Sequence, residues 1–212
     1  MFGQRAYYTA LAQKVQKKLL QRNFNAIICD SLETAREEAL NRISPHETVA
    51  FGGSVTVTQS GLIDALYKRQ QPIINRELAT TPAERYQLMR QSLLSDVYLT
   101  SINGLTDSGV LVNVDSVGNR VAAITYGPEK VFAFVGMNKV YGDLDTTVSV
   151  VRNRTAPKNS FRLGLDSTPC IKNGSCGNCL KEECICSIIS VIRRSKLPDR
   201  ITLFLIMEEA GL

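Results

Sequence analysis

Apolar positions recur at helical spacing from Gln4 to Gln21, with Leu11, Val15 and Leu19 on one stripe, so this stretch predicts an amphipathic helix. Asn25 to Cys29 is a short apolar run and reads as a strand. Asp30 or Ser31 then caps a helix running to about Ile43, with Glu33 placed for a capping box behind Asp30. Thr48 to Phe51 predicts a strand that ends in Gly52-Gly53-Ser54, ahead of a helix carrying Leu62 and Leu66 on its apolar face. Pro72 to Ile74 predicts a brief strand. Thr81-Pro82-Ala83-Glu84 combines an N-cap, a proline at N1 and a glutamate at N3. The helix it starts carries Tyr86, Leu88, Met89 and Leu93, and Asp96 to Thr100 is the next strand.

Strands alternating with helices predict a parallel sheet flanked by helices. From Val110 to Val135 the strands crowd closer: Val110–Val114 and Lys130–Val135, with a short helix between Gly118 and Tyr126. Asp143 can cap a helix through Arg152, and the pattern changes after Pro157. The last two apolar strands, Ser187–Ile192 and Ile201–Met207, are joined by a Lys-Leu-Pro-Asp turn and read as a terminal strand pair. The expected architecture is α/β: one domain over residues 1–212 with a Rossmann-like, mainly parallel sheet and a cysteine-rich segment at 168–187.

Composition narrows the function classes. Of 212 residues, 44% are hydrophobic and 21% charged, which excludes a disordered tail or a collagen-like fibre. The longest uncharged run, Thr48 to Ile63, is broken by three glycines and is no membrane span. Met1 to Arg22 has no apolar core of a secretory signal, so the expected location is the cytoplasm. The net charge of +5 is scattered and Trp is absent, which argues against a nucleic-acid partner. The one histidine, His46, follows Pro45 in a loop and carries no sign of a Ser-His-Asp or Cys-His site.

Three segments could carry chemistry. The sharpest is Cys170-x5-Cys176-x2-Cys179-x4-Cys184-x1-Cys186, which holds five of the six cysteines. Its CxxC step puts two thiols on one tight turn, Gly174 and Gly177 let the loop curl, and Lys172 and Lys181 favour thiolates. Four thiolates suit tetrahedral zinc or a [4Fe–4S] cluster, with a fifth to spare. A disulfide pair and free thiols are the alternatives, the disulfide disfavoured because nothing marks the chain as exported. Cys29, in an apolar strand, reads as core. The second segment is Gly52-Gly53-Ser54-Val55-Thr56, at a strand-to-helix turn where backbone amides can meet an anion or simply turn the chain. The third runs from Leu99 to Val121 and gathers Asn103, Asn113, Asp115, Asn119 and Arg120 around two glycine-containing turns. It reads either as polar groups at the ligand end of an α/β sheet or as a hairpin whose Asn and Asp satisfy turn backbone. The Arg120 guanidinium suits a carboxylate or phosphate. Glu208, just after the last apolar strand, is a candidate to face the site, whereas Glu209 reads as solvated.

Taken together, these segments resemble the LUD-domain (lactate utilization protein) family. The resemblance rests on GGSVT at 52–56 with Gly61-Leu62, and on DVYLTSINGLTDSGVLVNVDSVGNRVAAITYGPEKVFAFVGMNKV at 96–140. At the C-terminal end it rests on TPC at 168–170, Cys176-x2-Cys179, Ile185-Cys186 and LFLIMEEAGL at 203–212. It implies a fold similar to the NagB/RpiA/CoA-transferase-like group, with ligands at strand C-termini. It also implies a role in oxidising lactate to pyruvate beside iron–sulfur or other redox partner proteins, as a component of an oxidoreductase system. The matched positions imply a small anionic metabolite held by Gly52, Gly53, Ser54, Thr56, Asn103, Asn113, Asp115, Gly118, Asn119 and Arg120. They imply a metal or cluster on Cys170, Cys176, Cys179 and Cys186, with Cys184 as an extra or substitute. Gln59 departs from the glutamate that many members carry before the Gly-Leu pair, and a Gln cannot act as general base or acyl acceptor. Asp115 and Glu208 remain as candidate catalytic groups.

Three functions follow as expectations. The first is a redox-linked, lactate-utilization-type protein with an anion cleft and a cysteine-held cluster or metal. The second is a non-catalytic sensing or assembly subunit with structural zinc. The third is an isomerase or acyl transferase using Asp115 or Glu208. The oligomeric state is left open by the sequence, a homo-oligomer included.

Overall fold

Helix α1 (Gln4–Leu20) places Tyr8, Ala12, Val15 and Leu19 on one buried stripe, the spacing that its sequence periodicity requires. The computed structural model describes residues 3–212, and this helix leads into strand β1 (Asn25–Cys29). Helix α2 (Leu32–Leu40) follows, then β2 (Val49–Phe51), α3 (Val55–Gln59), α4 (Leu62–Lys68) and β3 (Ile73–Ile74). Helix α5 (Pro82–Gln91) starts as its motif predicts, with the Thr81 hydroxyl accepting from Glu84 N and proline in the first turn. Strands β4 (Val97–Ser101), β5 (Gly104–Thr106) and β6 (Leu111–Asp115) precede helix α6 (Asn119–Thr125). Then come β7 (Lys130–Gly136), β8 (Val140–Tyr141), α7 (Leu144–Val150), α8 (Ala156–Arg162), α9 (Pro169–Asn173), β9 (Ile188–Ile192) and β10 (Ile201–Ile206).

Six strands form the main sheet in the order β1-β10-β7-β4-β2-β3, every neighbouring pair parallel. Its central strands are apolar on both faces, as a parallel sheet covered on both sides demands. Along β7, Val131, Ala133 and Val135 face one core with Tyr8, Val15 and Leu19 of α1. Phe132 and Phe134 face the other, with Ala35, Ala39, Leu62 and Leu66. There Phe134 stacks on Phe204 at 4.9 Å and Phe132 meets the same ring edge-on at 5.4 Å. Such aromatic pairs contribute about 1 kcal/mol each beyond the area they bury.

A second sheet, in the order β8-β5-β6-β9, lies beside the first. It holds the β5–β6 hairpin, which realises the hairpin reading of the segment after Leu99. Its third core gathers Val112, Val114, Val151 and Ala156.

Three expectations change. The α2 cap is Ser31, whose hydroxyl accepts from Thr34 N while Thr34 Oγ1 accepts from Ser31 N, so Glu33 and Asp30 are not its capping box. The helix after Asp143 does not end near Arg152. It passes through a π-helical turn at Val151–Thr155 and continues as α8. Pro157 explains the turn: it lacks an N–H and would crowd the preceding carbonyls, and widening the helix just before it relieves both. The two C-terminal strands exist but do not pair with each other. β9 alternates between half-buried and exposed positions and pairs antiparallel with β6, whereas all six residues of β10 are buried. A strand apolar on both faces needs a central slot, and β10 takes the one between β1 and β7.

Candidate functional site

The C-terminal ends of the parallel strands open onto a cleft of about 240 Å³. β2 delivers Gly53 and the Ser54–Thr56 turn, β4 delivers Ser101, and β7 runs through a short turn to Lys139. The hairpin adds Asn103, Val114, Asp115 and Ser116, and α8 adds Ala156, Asn159 and Arg162. Ser54 is the N-cap of α3, accepting from Val57 N at 3.2 Å, so the loop is pinned as well as exposed to the cleft.

Arg120 is the hub of one wall. Its Nη1 donates to Ser101 O (3.0 Å) and Asn113 Oδ1 (3.2 Å), and its Nη2 to Asn103 Oδ1 (2.7 Å) and Val114 O (2.6 Å). Asp115 lies 4.0 Å from Arg120 Nε, the pair being 12% exposed on each side. Burial lowers the Arg120 pKa, with Asp115 acting against that loss. Asp115 also accepts from the Val121 and Ser116 amides, fixing the turn into α6. Gly118 caps that helix at φ +93°, where a side chain would be strained and would meet Ile188. Gly52 lies under the wall: a Cβ there would come 2.8 Å from Tyr98 Oη and 3.3 Å from Arg120 Cδ. With its amide oxygen turned to the donors, Asn119 accepts from Arg76 Nη1 (2.7 Å) and Arg120 N (3.2 Å). The matched positions from Asn103 to Arg120, with Gly52 beneath them, therefore converge on one wall, and Arg120 acts there as a charged cross-brace with most of its donors engaged by the protein.

Two groups that sequence reasoning did not single out complete the electrostatics. Lys139 is 3% exposed, and its Nζ donates to Thr56 Oγ1 at 2.9 Å. Burial, with Arg120 nearby, pushes its pKa down to about 8. Arg76 enters from the segment after β3 and is tied to Glu77, which also holds Arg85. Among the described residues, the cleft is lined by Arg76, Arg85, Arg120, Lys139 and Arg162 against one carboxylate side chain, Asp115. The available signal for Lys139 was its place just past the end of a central apolar strand. Arg76 carried no local signal.

Glu208 is not in this cleft. Its Oε1 accepts from Leu32 N at 2.5 Å at the start of α2, where the free amides and positive end of a helix favour a carboxylate. Gln59 Oε1 accepts from Gly211 N, which ties the segment after β10 to α3.

All five clustered cysteines line a second cavity of about 500 Å³, together with Arg152, Pro157, Ser160 and Thr168. Cys170 Sγ lies 3.2 Å from Thr168 Oγ1 and 3.5 Å from Ser160 Oγ, and the Asn178 amide donates to Cys176 Sγ at 3.4 Å. Burial and the neighbouring sulfurs push Cys186 up to about 12, and Cys184 is raised for the same reasons. Among the described residues, no three His, Cys, Asp or Glu side chains converge tightly enough to hold a metal ion. Cys29 stands apart, buried among apolar residues, with burial pushing its thiol up to about 12. The two cavities share a partition: Ala156 of α8 and Ile185 line both, and Ser116 Oγ donates to Cys184 O across it. The π-helical turn ahead of Pro157 sets the rotation that gives α8 one face toward each cavity. Among the described residues no helix is long and apolar enough to cross a membrane.

The fold is shared with a solved structure, a DUF162-family protein from Deinococcus radiodurans. It matches with a TM-score of 0.53 over 94% of this chain and 98% of that one, at 12% identity. No curated protein sequence matches the chain. The family model described as the LUD domain matches residues 12–206, which takes in both sheets, the cysteine cavity and the cationic residues of the cleft. The chain therefore belongs to the LUD-domain family and is, in that general sense, a lactate-utilization-type protein.

Proposed function

We propose that this chain binds a small carboxylate in the cleft between Lys139 and the Arg120 wall, and that its cysteine cavity carries an iron–sulfur cluster, as a redox component of 2-hydroxy-acid oxidation. One observation carries the first half: among the described residues, Lys139 is a buried ammonium with no side-chain carboxylate partner, facing a cleft that holds five cationic side chains and one acidic side chain. A buried charge is costly unless it is paired, so an anionic ligand is the partner the wall lacks. The cleft volume suits a metabolite of a few heavy atoms.

The donor set supports the second half. Five sulfurs surround one cavity whose lining includes no carboxylate or histidine. Four thiolates suit a cubane, each binding one of its irons, and the fifth sulfur leaves one to spare. Burial and the neighbouring sulfurs raise Cys184 and Cys186, so a nearby cation would favour their ionised forms. Cys170, Cys176, Cys179 and Cys186 would hold the group, which when bound supplies one-electron transfer. Ser160, Thr168 and the Asn178 amide already face its sulfurs.

Anaerobic purification with iron, zinc and sulfide analysis tests the cluster, and calorimetric titration with pyruvate, lactate and phosphate tests the cleft. The reading expects iron with matching sulfide, and carboxylate binding that Lys139→Met abolishes. Stoichiometric zinc would replace electron transfer with a structural knuckle. Unchanged binding by Lys139→Met would overturn the anion site.

A further inference from the structure

A buried amine in a cation-lined cleft can do more than attract charge. Lys139 sits beyond the C-terminal end of β7, held by one hydrogen bond from Nζ to Thr56 Oγ1. Gly211 closes over it: a Cβ there would come 2.7 Å from Nζ. The amine therefore has one free direction, into the cleft that Arg76 and Arg120 also line. Desolvation beside a second cation is the environment that turns lysine into a carbonyl nucleophile. With its pKa near 8, about one amine in ten is neutral at pH 7.

We propose that Lys139 is a covalent carbonyl-capturing residue, forming an imine with a 2-oxo carboxylate bound in the cleft. The inference rests on the anion-site reading and names the substrate class of that site. The Nζ lone pair attacks the keto carbon, a C–N bond forms, and the carbonyl π electrons move to oxygen, which takes up a proton. The carbinolamine then loses that oxygen as water, leaving a protonated imine. The step is redox-neutral and needs no co-reactant besides the keto acid. The cationic wall holds the carboxylate, which fixes the adjacent keto carbon next to Nζ.

The test treats the full-length protein with pyruvate and then sodium borohydride, followed by intact mass and peptide mapping. The expected product is heavier by the mass of pyruvic acid less one oxygen atom, with the adduct on Lys139 at roughly tenfold or more the level on exposed lysines such as Lys172. Lactate, which has no keto group, should give none. Calorimetric titration with pyruvate, without borohydride, is run in parallel. Pyruvate binding without an adduct on Lys139 overturns the imine and leaves the anion site standing. Absence of both binding and adduct overturns both. An adduct spread evenly over surface lysines also overturns the imine, and because this reading comes from the wild-type peptide map it does not depend on how Lys139→Met folds.

Discussion

Lys139 Nζ donates to Thr56 Oγ1 at 2.9 Å, and among the described residues this is the one hydrogen bond that steadies a buried ammonium with no side-chain carboxylate beside it. The folded protein gives up this proton near pH 8, whereas the unfolded chain holds it to about 10.5. Between those values the unfolded state binds more protons, so raising the pH favours the fold. This group alone should add stability from pH 8 to 10.5, by roughly 3 kcal/mol at most. Urea titrations at both pH values should show the wild type gaining this much relative to Lys139→Met, since the other titrating groups are common to both.

Arg120 braces the opposite wall through four acceptors and Asp115. Arg120→Met leaves Asp115 without its counter-charge and the carbonyls of Ser101 and Val114 without this donor. The expected loss is about 3–5 kcal/mol in chemical denaturation. Arg120→Lys should recover little of it, because a point-charge ammonium cannot span the planar fork of acceptors. Recovery to near wild-type stability would mean that charge alone suffices.

Gly211 has φ +74°, and a Cβ there would collide with Thr56 Oγ1 and press on Lys139 Nζ. Gly211→Ala should destabilise the protein by about 1–3 kcal/mol and weaken carboxylate binding. Calorimetry on the folded fraction reads the second effect separately from the first. Unaltered affinity would show that the amine sits independently of the segment above it.

Thiol reactivity should divide the cysteines. Iodoacetamide attacks the thiolate, so Cys29 and Cys186, both held near 12, should lag behind the partly exposed Cys176 and Cys179 in metal-free protein at pH 8. Peptide mapping over a time course checks the order. Early labelling of Cys29 would place it outside the core that its burial describes.

Elements with local signatures were legible in the sequence. The Thr81-Pro82-Glu84 start and the stripe Leu11, Val15, Leu19 depend on neighbours within two turns, and both form as read. Pairing was not legible, because nothing near Ile201 says that its strand belongs between β1 and β7. The polar segment from Asn103 to Arg120 could be read as a site because its members lie close in sequence, and the fold gathers them on one wall. Lys139 was hidden for the opposite reason. A buried lysine and an exposed one are the same letter, and its partner Thr56 lies on the far side of the sheet connection. Glu208 misled in the same way: a carboxylate after a strand can face a cleft or cap a helix, and the position of Leu32 decides.

The pairing of β1 with β10, from Asn25 opposite Thr202 to Cys29 opposite Ile206, bears on how the molecule is born. A ribosome adding about 5–20 residues per second leaves β1 waiting roughly ten to thirty-five seconds for β10, its strand neighbour among the described residues. Throughout that time the apolar side of α1 and the open edge of β7 have no finished sheet to join. Vectorial, domain-from-the-front assembly is closed to this topology. β10 locks β1 into place only once it has left the exit tunnel, and holding chaperones have all of that interval on the nascent chain.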